Sequence, residues 1–199
     1  MSIEIDIMRA HLKDMLEARG QDVSYIGEHG DAVEATRYYN ECITLDTDKT
    51  VVFFALTKDV LKEWKGDKVH ENAETLLETY PGKTFILVLS DPPSSIILTK
   101  LTAIDKALSL SSSALQIFYT KELMYNPLNH TLVPLHEKLT PAESKEVQES
   151  YMIKHKSQMP VISRNDIIAR WLGLNTGDIT RITRYNDTSG TYYYYRCCV

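Results

Sequence analysis

The residues whose types and spacing could carry chemistry lie in four short stretches. Pro81-Gly82-Lys83-Thr84 ends as a phosphate-binding P-loop ends, with a lysine and a hydroxyl after a glycine. The full loop needs a further glycine five residues before Gly82, where Leu77 stands, and it must lead from a strand into a helix. Here it leads into an apolar run with strand character, so it reads as a turn. His130 and His136 flank Pro134 and are able in principle to serve a metal or an acid–base site. No cysteine pair and no His-Glu-x-x-His helix accompanies them, and Cys42 stands alone, so they read as capping or interface histidines in an extended segment. Cys197-Cys198 suggests a redox or metal pair, but neighbours in a strand point to opposite faces. One buried thiol and one near an edge are expected. Tyr192 to Tyr195, with Arg184 and Arg196 around them, suit either a base-stacking platform or a protein interface and core. Only alternate tyrosines share a face, and half should pack on the module's own helices. Both arginines suit backbone anchoring or a partner's carboxylate. No Ser-His-Asp order and no selected carboxylate pair accompanies these stretches, so no catalytic residue, metal ligand or cofactor is expected.

The elements that must position these residues follow from periodicity and turn chemistry. Ile5, Met8, Leu12, Met15 and Leu16 recur at helical spacing and stop at Gly20. A weaker helix is expected over Asp31 to Asn40. Val51 to Leu56, Thr84 to Leu89 and Leu115 to Tyr119 are apolar runs of buried-strand type. Helices around His70 to Thr79 and Ile96 to Leu108 alternate with them, the pattern of a small, largely parallel α/β sheet. The alternation breaks near Asn126-Pro127, which predicts domains over 1–125 and 126–199.

The second domain reads as a small α+β module and has the clearest helix start. Thr140 is the expected N-cap, Pro141 follows it, and Glu143 can reach back to the cap. Ser163 with Asp166 predicts a second cap before Ile167, Ile168, Trp171 and Leu172, which end at Gly173. Asp178 to Arg184 and Thr191 to Val199 then read as a hairpin joined by a polar loop, Tyr185 to Gly190. The final strand is expected to leave one ladder edge open, which soluble proteins seldom leave bare.

The chain has 199 residues and a net charge of −5. Residues 1–126 carry 13 Lys and Arg against 20 Asp and Glu, or −7; residues 127–199 carry 9 against 7, or +2. A stand-alone duplex binder shows a basic field, so an acidic first domain argues against strong independent DNA binding. No apolar run has membrane-spanning length, Glu4 and Asp6 are foreign to a secretory signal, and three cysteines suit a reducing compartment.

In order and spacing the last seventy or so residues resemble the subunit shared by the eukaryotic nuclear RNA polymerases, whose C-terminal part also stands alone as a small archaeal polymerase protein. The matching positions are His130-x-Leu132-Val133-Pro134-x-His136, Gln158-x-Pro160-x-Ile162 and Asp166-x-x-Ala169-Arg170-x-x-Gly173-Leu174. They continue through Gly177, Ile182, Arg184, Thr188, Gly190, Tyr192 and Tyr195-Arg196. The family usually has proline where Ile167 and Tyr185 stand, which marks a divergent member, a large-DNA-virus copy among the options. The resemblance over residues 1–125 rests on element order and the opening helix alone.

The resemblance implies a non-catalytic polymerase subunit. Its C-terminal mixed-sheet module would dock on the largest subunit, and its α/β domain would form part of the lower jaw beside downstream DNA. It implies assembly contacts at His130, Pro134, His136, Arg184, Gly190, Tyr192, Tyr195 and Arg196. Work in the nucleus, or in a viral factory or virion, follows from the same source, with other polymerase subunits as partners and no membrane. The alternatives are a stand-alone nucleic-acid binder using the tyrosine hairpin and a small hydrolase with an α/β core.

Overall fold

Helix α1 (Ser2–Ala18) buries Ile5, Met8, Leu12, Met15 and Leu16, the stripe that 3.6-residue periodicity selects. The computed structural model describes residues 2–23, 43–57, 69–111 and 113–199. The helix expected over Asp31 to Asn40, and Cys42, lie outside the described residues. The chain divides into two compact units, Met1–Tyr125 and Asn126–Val199.

The first unit holds a sheet in the order β1-β2-β3-β4. Strands β2 (Thr50–Ala55), β3 (Thr84–Leu89) and β4 (Leu115–Tyr119) are parallel neighbours, and β1 (Ile43–Asp46) runs antiparallel to β2. Helices α2 (Val69–Thr79) and α3 (Ser95–Ser109) make the two crossovers. Strands added in sequence order keep both helices on one face. There Val51, Phe53, Phe85, Leu87 and Leu115 pack with Leu101, Ile104 and Leu108 of α3 and with Leu76 and Leu77 of α2. The alternate residues Val52, Phe54, Ile86, Val88 and Phe118 are buried on the other face. Gln116 belongs to that face, and its amide oxygen accepts from Arg19 Nη2 at 2.7 Å, tying the end of α1 to β4. Strand β1 escapes sequence reading because its four residues alternate between half-buried and exposed, with no apolar run.

The second unit is organised on the hairpin of β7 (Ile179–Asn186) and β8 (Gly190–Cys198). The sheet order is β5-β7-β8-β6, with β5 (Leu135–Lys138) antiparallel to β7 and β6 (Val161–Ile162) parallel to β8. Tyr185 belongs to β7 and pairs with Thr191, so the loop is shorter than the sequence suggests: Asp187, Thr188 and Ser189. Gly190 follows at φ 69°, the left-handed residue that a three-residue hairpin loop uses to rejoin its ladder.

Helix α4 (Pro141–Ser150) starts as the capping box requires. Glu143 N–H donates to Thr140 Oγ1 at 3.3 Å, and Thr140 N–H donates to the Glu143 carboxylate at 2.8 Å. Helix α5 (Ile167–Trp171) corrects its expected cap. Asp166, not Ser163, is the N-cap, accepting from Ile168 N–H at 2.8 Å. Ser163 Oγ instead accepts from Asn165 N–H in the preceding turn. The serine is spent locally, and the short carboxylate next to the first turn takes the role.

The two faces of this sheet have separate cores. Ile162 and Cys198 pack with Ile168, Ala169, Leu172 and Leu174 of the α5 region. Cys197 and Ile179 pack with Leu139 and Met159 on the other face, with Val147 of α4 against them. The cysteines do point to opposite faces, but both are buried free thiols, which corrects the expectation of one near an edge. The end of β8 is flanked by β7 and β6 rather than exposed, and burial raises both thiol pKa values.

Trp171 is completely buried at the end of α5. Trp171→Ala is therefore expected to destabilise the chain by about 3–5 kcal/mol, measured by urea unfolding; a loss below about 1 kcal/mol would contradict its core role.

Candidate functional site

Ladder pairing sorts the exposed side chains of the second unit, because residues directly opposite each other share a face. His136 pairs with Ile182 and Ile182 with Tyr194; Lys138 pairs with Thr180 and Thr180 with Arg196; Arg184 pairs with Tyr192. His136, Arg184, Tyr192, Tyr194 and Arg196 thus lie on one face of the hairpin. Glu137, Arg181, Tyr193 and Tyr195 lie on the other.

The two faces differ in how their arginines are satisfied. Arg181 Nε donates to Glu137 Oε2 at 3.1 Å, and its guanidinium lies 5.3 Å from the Tyr193 ring centroid. The bond to Glu137 raises the arginine pKa. On the opposite face Arg184 and Arg196 approach the same ring, at 4.6 and 5.7 Å from the centroid of Tyr194. Neither has a carboxylate within ion-pairing distance among the described residues, and Arg196 Nε is buried without a hydrogen-bond partner. Guanidinium on an aromatic face is favourable, and more so where water is excluded. The pair is thus held in place with no ion-pair partner among the described residues.

His136 sits beside this pair. Its Nδ1–H donates to the Pro134 carbonyl at 2.6 Å, which fixes the proton on Nδ1 in the neutral ring. Burial lowers its pKa; Arg196 and Arg184 lower it further, while the Pro134 bond and Asp166 act the other way. His130 uses its ring oppositely, Nδ1 accepting from Leu132 N–H at 3.2 Å to close the turn before Pro134. The two histidines are each engaged two residues along their own backbone. Among the described residues no three His, Cys, Asp or Glu side chains gather as a metal site would require.

The remaining expected residues divide. Pro134, Arg184 and Tyr192 line an open cleft together with Thr131, Leu132, Thr183 and Tyr185. Tyr195 is on the other face, its ring edge-on to Tyr151 at 5.7 Å, with its pKa raised by burial. Gly190 acts through its backbone at the hairpin turn. The structure adds Tyr194 and Leu132. Period-two alternation with Tyr192 and Arg196 already distinguishes Tyr194, and Leu132 is among the positions that carry the resemblance.

Lys83 has a structural occupation. Its ammonium donates to Asp46 and to the Thr47 carbonyl at the end of β1, and lies 6.0 Å from the Tyr80 ring centroid. It joins the turn before β3 to the end of β1 and the turn that follows it rather than facing a phosphate. No helix among the described residues is long and apolar enough to cross a membrane.

Residues 125–198 match the family described as RNA polymerase Rpb5, C-terminal domain. The protein of Dictyostelium discoideum named DNA-directed RNA polymerases I, II, and III subunit rpabc1 is 42% identical over 85 residues, 43% of this chain and 43% of its own. The corresponding RPABC1 of Caenorhabditis elegans is 40% identical over 85 residues, 43% and 40% of the two chains. DNA-directed RNA polymerases IV and V subunit 5B of Arabidopsis thaliana is 33% identical over 92 residues, 46% and 42%. The matched stretch spans about four-tenths of each of these relatives. The resemblance to the shared polymerase subunit family, read from His130 onward, is borne out for this part of the chain.

His136 supplies a pH dependence. Held below its ordinary value of 6.5 in the folded chain, it takes up a proton first in the unfolded chain as pH falls. Its contribution to stability is complete above 6.5 and is lost as pH drops toward the lowered value. Urea unfolding followed from neutral pH down through this range is expected to show that loss, and His136→Gln to flatten it; an unchanged slope in the variant would remove the assignment.

Proposed function

We propose that the chain is a non-catalytic subunit of a multisubunit DNA-dependent RNA polymerase. Its C-terminal unit docks on the largest subunit, and its first unit contributes to the lower jaw beside downstream DNA. The supporting observation is that the Rpb5 C-terminal match, residues 125–198, coincides with a compact unit, Asn126–Val199, that has two cores of its own. The docking surface is the face carrying His136, Arg184, Tyr192 and Arg196, with the Pro134 cleft beside it. Nucleotide addition and its metal ions belong to the large subunits, and the place of work is the nucleus, or a factory or virion for a viral copy.

The −7 of residues 1–126 suits a jaw whose DNA contact is local and made within a larger assembly. The stand-alone nucleic-acid reading has less support, because three of the four tyrosine rings already have partners. Tyr193 meets Arg181, Tyr194 meets Arg184 and Arg196, and Tyr195 meets Tyr151. A stacking platform needs open ring faces.

An affinity-tagged chain expressed in its own cell is expected to co-purify with the two largest polymerase subunits in constant ratio through size exclusion. Recovery as a free protein throughout would end this reading. The purified chain alone is expected to bind duplex DNA no tighter than about 10⁻⁴ M at physiological salt. Micromolar binding with a steep salt dependence would favour the nucleic-acid alternative.

A further inference from the structure

Strand β8 is only partly enclosed. Strand β6 pairs with Cys197 and Cys198 and stops there. Cys197 N–H donates to the Pro160 carbonyl and Val199 N–H to the Ile162 carbonyl, whereas Cys198 N–H donates to Asp178 on the β7 side. Backbone groups alternate along a strand. The N–H and C=O of Thr191, Tyr193 and Tyr195 therefore point away from β7, beyond the reach of β6. They have no partner among the described residues. The usual guards of a free edge are lysine, proline or an inward charge, and Thr191 to Tyr195 contains none. A strand this rich in tyrosine and open on one side is a template for another strand.

The side chains beside the edge say what that strand carries. Elsewhere on this sheet the cations are ion-paired: Arg181 with Glu137 at 3.1 Å, Lys138 with Asp178 at 2.6 Å. Arg184 and Arg196 have no ion-pair partner among the described residues, although both guanidiniums are held against Tyr194, and the Nε of Arg196 is buried and unsatisfied. A buried charged donor left without an acceptor is costly, and a carboxylate relieves it with paired N–H···O bonds.

We propose that the free edge of β8 receives an extended acidic segment of a partner protein as an added strand, with carboxylates at alternate positions on Arg184 and Arg196. The inference rests on the docking reading above and specifies the chemistry of the segment that docks. A protein strand is favoured over nucleic acid because the edge offers backbone amides and carbonyls in register. Phosphates would satisfy the arginines but not the ladder.

The test uses the full chain, ¹⁵N-labelled, and a capped peptide of alternating glutamate and valine. Controls are the same peptide with alternate backbone nitrogens methylated, its lysine–valine counterpart, and a short oligothymidylate. The glutamate peptide is expected to shift the amide signals of Thr191, Tyr193 and Tyr195. Methylation should weaken binding about tenfold or more, and the lysine peptide should not bind. Arg184→Gln and Arg196→Gln should each weaken binding roughly tenfold, as loss of a charged hydrogen bond implies. Arg184→Lys should lose less, and preserved amide dispersion in every variant excludes unfolding as the cause. Three results overturn the proposal: equal binding of the methylated peptide, tighter binding of the oligothymidylate at the same signals, or no shift at millimolar peptide. The polymerase reading fails separately. An Arg184→Gln/Arg196→Gln chain that still co-purifies with the large subunits defeats the acidic strand alone. A wild-type chain that binds the peptide yet never co-purifies defeats the polymerase reading instead.

Discussion

The pairing of β7 with β8 is the constraint on which the second unit depends. Eight residue pairs, from Ile179 with Cys197 to Asn186 with Gly190, fix which side chains share a face. Strand β5 has no other neighbour in the sheet, and β6 has only the end of β8. A slip of one residue would carry Cys197, Cys198, Ile179 and Ile182 to the wrong faces at once. It would also break up the Arg184–Tyr194–Arg196 group, since that group exists only because diagonal and next-nearest positions of the ladder meet. Core register and surface chemistry are one choice here.

Much of this is legible in the sequence where a residue acts through its nearest neighbours. Thr140, Pro141 and Glu143 announce a helix start because a capping box closes within four residues. Thr84 to Leu89 announces a buried strand because both its faces are covered. Legibility fails where the deciding partner is distant or where two local solutions compete. Ser163 and Asp166 are both good caps, and Asp166 takes the role because Ser163 Oγ is already held by Asn165 N–H in the turn before α5. The sequence leaves one of the two cysteines near an edge because nothing in Val161-Ile162 says that this dipeptide returns as a strand beside them.

The candidate site is legible in the same partial way. Arg184, Tyr192 and Arg196 are separable from Tyr195 by alternation alone. What alternation does not supply is the difference between Arg181, satisfied by Glu137, and the two arginines opposite it. That difference depends on β5, whose four residues Leu135 to Lys138 give Glu137 to one face and His136 to the other. A short edge strand thus decides which side of the sheet is electrostatically complete.

The closing stitches of the second unit carry a consequence for its birth. Val199 N–H binds the Ile162 carbonyl, Arg164 N–H binds the Val199 carbonyl, and Cys197 and Cys198 fill one core each. Neither core can be completed before Cys197 and Cys198 have emerged from the ribosome. The first unit has every strand it needs by Tyr119, and domains generally fold as units during synthesis. Translation therefore delivers the chain in two stages: a sheet assembled early, and a second that waits for the strand that closes it.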